Sequence, residues 1–169
     1  KMTNFNIDLQ VPEIVRYPGQ KNRGAQTMAM TELVDLFPSL CELAGIEVPD
    51  YMQGLCFVPL LEDPTRPWKT GVFSQFHRRP KVSADGNRYM GYSINTPEHH
   101  YIEWYTWDHE SGTRGEYVDA ELYHRIKDPH ETTNIASATE NKVVIERLSQ
   151  QLAKGWKGAM EGIANMASN

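Results

Sequence analysis

No apolar run in this chain approaches the ~18–20 residues that a membrane-spanning helix requires. Cysteine is scarce too: Cys41 and Cys56 are the only two in 169 residues. That excludes a dense disulfide framework, and their spacing matches no zinc pattern. A single bridge in an oxidising compartment and two buried thiols both stay open. Positive charge is in deficit, with 17 Lys and Arg against 22 Asp and Glu, a net charge of −5. Such a balance offers no broad basic surface to nucleic acid, and an anionic partner would need a local basic site. Hydrophobic content of 40% and charged content of 23% exclude a disordered or membrane-embedded chain. No signal peptide opens the sequence, and KMTNFNIDLQ reads as a passage from within a longer protein.

What is present is densest between residues 88 and 136. Tyr89, Gly91, Ser93 and Asn95 alternate with Met90, Tyr92, Ile94 and Thr96, and after Pro97-Glu98 comes the aromatic run HHYIEWYTW. Period-two alternation on either side of a proline that cannot join a ladder predicts a β-hairpin. Residues 70–76 alternate as another strand, and ELY at 121–123 reads as a brief one after a charged, glycine-containing loop over 108–119. Val144, Leu148, Leu152 and Trp156 recur at i, i+4 and predict an amphipathic helix over 140–160. Three or four antiparallel strands under one helix make a two-layer α+β unit.

Upstream, residues 11–16 read as a short strand closed by Tyr17-Pro18-Gly19, one that needs neighbours in a sheet. In MTELVDLFPSLCELAGI, Met30, Leu33, Val34, Phe37, Leu40, Cys41 and Ala44 fall at helical spacing and predict a buried stripe. Asp35 suits the N-cap of that helix, Pro38 its first turn and Gly45 its left-handed C-cap. Residues 47–69, with four prolines, read as a connector.

The most basic short stretch is His77, Arg78, Arg79 and Lys81. It is either a solvated loop or an anion-recognition loop, since Arg carries a planar fork matched to sulfate or carboxylate. Adjacent residues of a strand face opposite sides, so His99 and His100 do not readily share one metal. With Asp128 and Glu131 they read as structural or solvated, and no metal site is expected within the chain.

GYSINT, HHYIEW and ELYHRIKDPHETTNIA, in that order, resemble the C-terminal subdomain of the type I sulfatases, most of all the iduronate-2-sulfatase group of the alkaline phosphatase superfamily. Asn95 stands where that pattern has Arg, and His124 where it has Asp. The opening K-x-x-N-F, the later VP…R-x-PG, LVDLFPSLCELAGI and G-x-C-x-x-P-L-L also resemble sulfatase segments, with Cys56 at the usual Ser. The resemblance implies an alkaline-phosphatase-like α/β fold. Residues 1–63 would hold the last strand and helix of the catalytic domain, and residues 64–169 a C-terminal subdomain of a small antiparallel sheet covered by a helix. It also implies that Lys1 is catalytic, reaching the substrate sulfate, and that Gln75 and Arg78 of S-Q-x-x-R bind substrate. Neither cysteine lies in the C-x-P-S-R or C-x-A-x-R context of the formylglycine nucleophile, and the calcium ligands of the family are not found here. The expected function is therefore a share in hydrolysing sulfate esters, of 2-O-sulfated uronic acids in glycosaminoglycans. The chain alone would be inactive, with calcium bound by residues outside it. Expected partners are a sulfated glycan, the catalytic portion and a second copy. Nucleic acid and membrane are not expected. The compartment implied is periplasmic, lysosomal or secreted.

Two other readings compete. One is a non-catalytic carbohydrate-binding or interaction module, with residues 77–81 beside a sugar platform of Tyr101, Trp104, Tyr105 and Trp107. The other is a phosphate-ester hydrolase of the same superfamily, which GYSINT and ELY…DP do not support.

Overall fold

The computed structural model describes residues 3–78, 81–161 and 163. The chain divides into two compact units, one joining Lys1–Val11 to Gly71–Ala159 and the other built on Pro12–Thr70. The expected 63/64 boundary falls inside the second.

In the first unit, β1 (Val72–His77), β2 (Tyr89–Asn95), β3 (His99–Asp108) and β4 (Thr113–His124) form one sheet in the order β1-β2-β3-β4. Every neighbouring pair is antiparallel. Pro97 sits in the β2–β3 turn, where no N–H is needed, and Thr96 closes that turn. Its N–H donates to the His99 carbonyl at 2.8 Å, and its Oγ1 accepts the His99 N–H at 3.0 Å. Alternation then sorts the side chains. Ile94, Tyr101, Ala120 and Leu122 share a face and pack on Leu148, with Val144, Ile145 and Leu152 around it. These last four lie on α4 (Lys142–Ala159), so the expected helix and its stripe are present. The helix stops being regular at Gly155, whose φ of 66° and ψ of −165° suit only glycine. Trp156 therefore lies beyond the break rather than in the core.

Residues 108–119 are not a loop. The chain turns after Asp108 and β4 then runs for 12 residues, with register shifts opposite Trp104–Trp107. Its first seven residues are exposed, so no hydrophobic alternation marks them, and charge in the sequence imitates a loop. Cross-strand contacts carry the ribbon instead, with the Arg114 guanidinium 4.4 Å from the centre of the Tyr105 ring.

The second unit holds α2 (Leu36–Ala44), a turn at Leu33–Asp35 before it, and α3 (Val58–Glu62) within the expected connector. Pro38 lies in the first turn of α2, and Gly45 closes it in the left-handed conformation. Asp35 occupies the N-cap position, but its side chain does not cap α2. The fully buried carboxylate accepts the N–H groups of Glu32 at 2.9 Å and Leu55 at 2.7 Å, and the Lys69 ammonium at 2.7 and 2.8 Å.

Two further expectations for this unit fail. Residues 11–16 form no strand; Ile14 is 93% exposed and no ladder partner is present among the described residues. The apolar stripe of α2 is also not buried. Leu33, Val34, Phe37 and Leu40 are exposed, and the helix turns Pro38, Ser39 and Cys41 inward. Ser39 is satisfied there, since its Oγ donates to the Asp35 carbonyl at 2.7 Å and accepts the Phe57 N–H at 2.8 Å. Cys41 and Cys56 are free thiols, and burial pushes the Cys56 thiol up.

Candidate functional site

The residues that follow Lys1 are fastened to the face of the sheet opposite α4. Asn4, buried, donates from Nδ2 to the Gly91 carbonyl at 3.0 Å and accepts from Ser74 Oγ at 3.3 Å. The Phe5 ring meets Tyr123 edge-on at 5.8 Å. The Asn6 N–H, which opens α1 (Asn6–Leu9), donates to Glu131 Oε2 at 2.7 Å. The other carboxylate oxygen of Glu131 lies 2.6 Å from His100 Nδ1, both side chains being buried. Glu131 holds this position with φ of 54°, uncommon for a residue with a side chain. A close approach explains why residue 91 is glycine. A Cβ there would come within 2.5 Å of Asn4 Nδ2 and 2.8 Å of Trp104 Cζ3.

Arg78 joins the same face. Its N–H continues the ladder to the Tyr89 carbonyl at 2.9 Å, and its exposed guanidinium lies 5.7 Å from the Trp104 ring centre. Trp104 is itself fixed by its indole N–H, which donates to Glu121 at 2.8 Å. Gln75 pairs with Tyr92, whose face is that of Ile94 and Tyr101, so alternation sends Gln75 and Arg78 to opposite sides of the sheet. Arg78 therefore shares the face on which the N-terminal segment lies, and Gln75 points from the opposite face. Lys1 and Arg79 lie outside the described residues. The meeting of Asn4, Gly91 and Trp104 escaped the sequence reading. Each looks ordinary alone, and only the strand register makes them neighbours.

The aromatic hairpin divides between core and surface. Tyr101 and Trp104 are buried, which removes them from any sugar platform. Tyr101 and Tyr105 both donate their hydroxyls to Glu103, at 3.0 and 2.6 Å, and Tyr123 donates to Glu121 at 2.7 Å. Burial, then the Glu103 carboxylate, pushes Tyr105 up to about 12, and Tyr101 and Tyr123 move in the same direction.

His99 and His100 do face opposite ways, as alternation requires. His100 meets Glu131, and His99 lies opposite His124 of β4 with ring centres 5.0 Å apart. The sequence reading found no second ligand near His99 because His124 is 25 positions away along the chain and adjacent only through the ladder.

Over residues 1–157 the chain matches the family described as N-sulphoglucosamine sulphohydrolase, C-terminal. It is 26% identical over 148 residues to arylsulfatase K of Xenopus laevis, covering 85% of this chain and 25% of that protein. To the N-acetylglucosamine-6-O-sulfatase of Bacteroides thetaiotaomicron it is 26% identical over 151 residues, covering 88% and 25%. The chain thus spans about a quarter of the length of these relatives. Two solved structures are similar in fold. One, described in complex with its substrate D-glucosamine-2-N,6-O-disulfate, gives a TM-score of 0.56 at 24% identity over 76% of this chain and 24% of that one. The other, described as a 2-O GAG sulfatase, gives 0.54 at 23% identity over 78% and 26%. This likeness bears out the expected fold class.

Proposed function

Since the chain belongs to the C-terminal family of the N-sulphoglucosamine sulphohydrolases, we propose that it is the C-terminal part of an enzyme that hydrolyses sulfate esters, of 2-O-sulfated uronic acids in glycosaminoglycans. The single observation that best supports this is the fastening of the residues after Lys1, through Asn4 at Gly91, to the face that carries Arg78. In this reading Lys1 offers its ammonium to the sulfuryl oxygens, balancing charge that shifts as the S–O bond breaks. Arg78 holds a sulfate or carboxylate through its planar fork, made rigid by Trp104. Gln75 serves the rim from the other side of the sheet. The nucleophile and the rest of the pocket come from the catalytic portion, and the enzyme works in a periplasmic, lysosomal or secreted setting.

Calcium does not fit the residues described. Calcium takes six to eight oxygen ligands. The one grouping of three ligand-bearing side chains among the described residues offers two imidazole nitrogens and one carboxylate.

The test compares the full-length enzyme with this chain on a 2-O-sulfated uronate disaccharide. Full-length enzyme should turn over and the chain should not. In the full-length enzyme, Arg78→Met should raise KM more than it lowers kcat. Turnover by the isolated chain, or an Arg78→Met enzyme with unchanged kinetics, would overturn the assignment.

A further inference from the structure

We propose that Glu98, His99 and His124 form a binding site for a divalent transition metal of the zinc class, at the end of the sheet where β3 begins and β4 ends. It stands independently of the sulfatase reading, because neither imidazole lies on the Arg78 face.

Register builds the site. His99 and His124 are directly opposed in the β3–β4 ladder, so their side chains leave the same face side by side. Glu98 ends the β2–β3 turn, held by its carbonyl, which accepts the Arg125 N–H at 2.9 Å. From there its carboxylate reaches both rings. Oε2 lies 3.7 Å from His99 Nδ1, and Oε1 lies 3.7 Å from His124 Nε2. One donor atom from each of the three residues lies within 4.8 Å of the others.

The separations favour a shared ion over direct hydrogen bonds. A hydrogen bond between nitrogen and oxygen spans about 2.7–3.2 Å, so 3.7 Å is too long for one. Two ligands on a tetrahedral zinc, each about 2.0–2.2 Å from the metal, stand roughly 3.4 Å apart. The two carboxylate–imidazole separations exceed that by a few tenths of an ångström, and the imidazole pair, within 4.8 Å, closes by rotation of the two rings. His99 supplies the second observation. It is only 7% exposed, yet its Nδ1, turned toward Glu98, has no hydrogen-bond partner. Burial without a partner costs free energy, and a metal would satisfy the lone pair.

Two imidazoles and one carboxylate form a borderline donor set that suits zinc, nickel or copper rather than calcium or magnesium. Three protein ligands leave one position open to water or to a donor of a bound molecule. Arg147 and Lys127 act on His99 as nearby cations, and Arg125 donates to the Thr96 carbonyl at 2.6 Å. Their repulsion makes the site weaker than a closed structural zinc centre.

The experiment titrates the chain with zinc chloride alone, in a buffer free of chelators, by calorimetry. One equivalent should bind, and zinc should raise the melting temperature. Glu98→Gln, on an exposed side chain that leaves the fold intact, and His124→Gln should each weaken binding roughly ten-fold or more. His109→Gln, in the exposed β3–β4 turn, should bind as the parent does. Cobalt substitution should give the visible absorption of tetrahedral coordination, lost in His124→Gln. A parent chain that binds no zinc at millimolar concentration would overturn the proposal. So would Glu98→Gln and His124→Gln variants that bind with parental affinity, or a loss confined to His109→Gln.

Discussion

Lys69 and Asp35 show how much one residue can carry in this protein. The lysine ammonium is nearly sealed from water and bonds Asp35 and, at 2.8 Å, Glu32. Removing one partner of a buried ion pair leaves the other charged and uncompensated, which costs about 3–5 kcal/mol. Lys69→Met should therefore lower the unfolding free energy obtained from urea titration by that amount, and Lys69→Met with Asp35→Asn should recover part of it. An unfolding free energy within about 0.5 kcal/mol of the parent would contradict the buried pair. The tyrosines predict an alkaline limit. Tyr101, Tyr105 and Tyr123 have folded-state values raised above the ordinary 10.0, so the folded form keeps protons that the unfolded form gives up. Their contribution is whole below pH 10 and is lost as the pH rises through about 12 for Tyr105. Phenolate signals of these three, followed residue by residue by NMR, should appear together with loss of structure in that window. Their ionisation below pH 10 without unfolding would count against the Glu103 and Glu121 contacts. Little of this could be read in advance. A lysine among four prolines and a tyrosine in a strand announce nothing until their partners are known.

At the scale of the element, the sheet and α4 were legible because each has an unbroken period. Strands β1, β2 and β3 alternate, and α4 repeats at i, i+4. The first half of β4 was not legible, since a strand solvated on both faces has no pattern to display. The docking of the N-terminal segment was also not legible, because one asparagine and one backbone N–H hold it to a sheet far along the chain. Gly91→Ala tests that attachment. The new methyl would displace Asn4 or Trp104, at a cost of roughly 1–3 kcal/mol for overpacking. Hydrogen exchange at the Asn6 amide should accelerate in that variant while the β2–β3 ladder stays protected. An unchanged rate at Asn6 would show that the segment docks without Asn4.

At the scale of the whole molecule, the exposed stripe of α2 matters most. Leu33, in the turn before α2, is 71% exposed, and Phe37 and Leu40 on α2 are 51% and 60% exposed, although their spacing marks all three for burial. Expressed alone, the chain should self-associate through this stripe. Phe37→Glu with Leu40→Glu should return it to a monomer on size-exclusion chromatography without loss of helix signal. A parent chain that elutes as a monomer at high concentration would rule this out.

By itself the sequence determined the hairpin, the covering helix, the family and the candidates Lys1, Gln75 and Arg78, since period and motif are written in consecutive residues. Only the tertiary structure decided that Asn4 and Arg78 share a face, that Gln75 does not, that Asp35 serves Lys69, and that His124 stands against His99. The reason is physical. Strand register joins Gly91 to Trp104 and His99 to His124, which no local pattern connects, and a one-residue slip of a strand would send its side chains to the other face of the sheet.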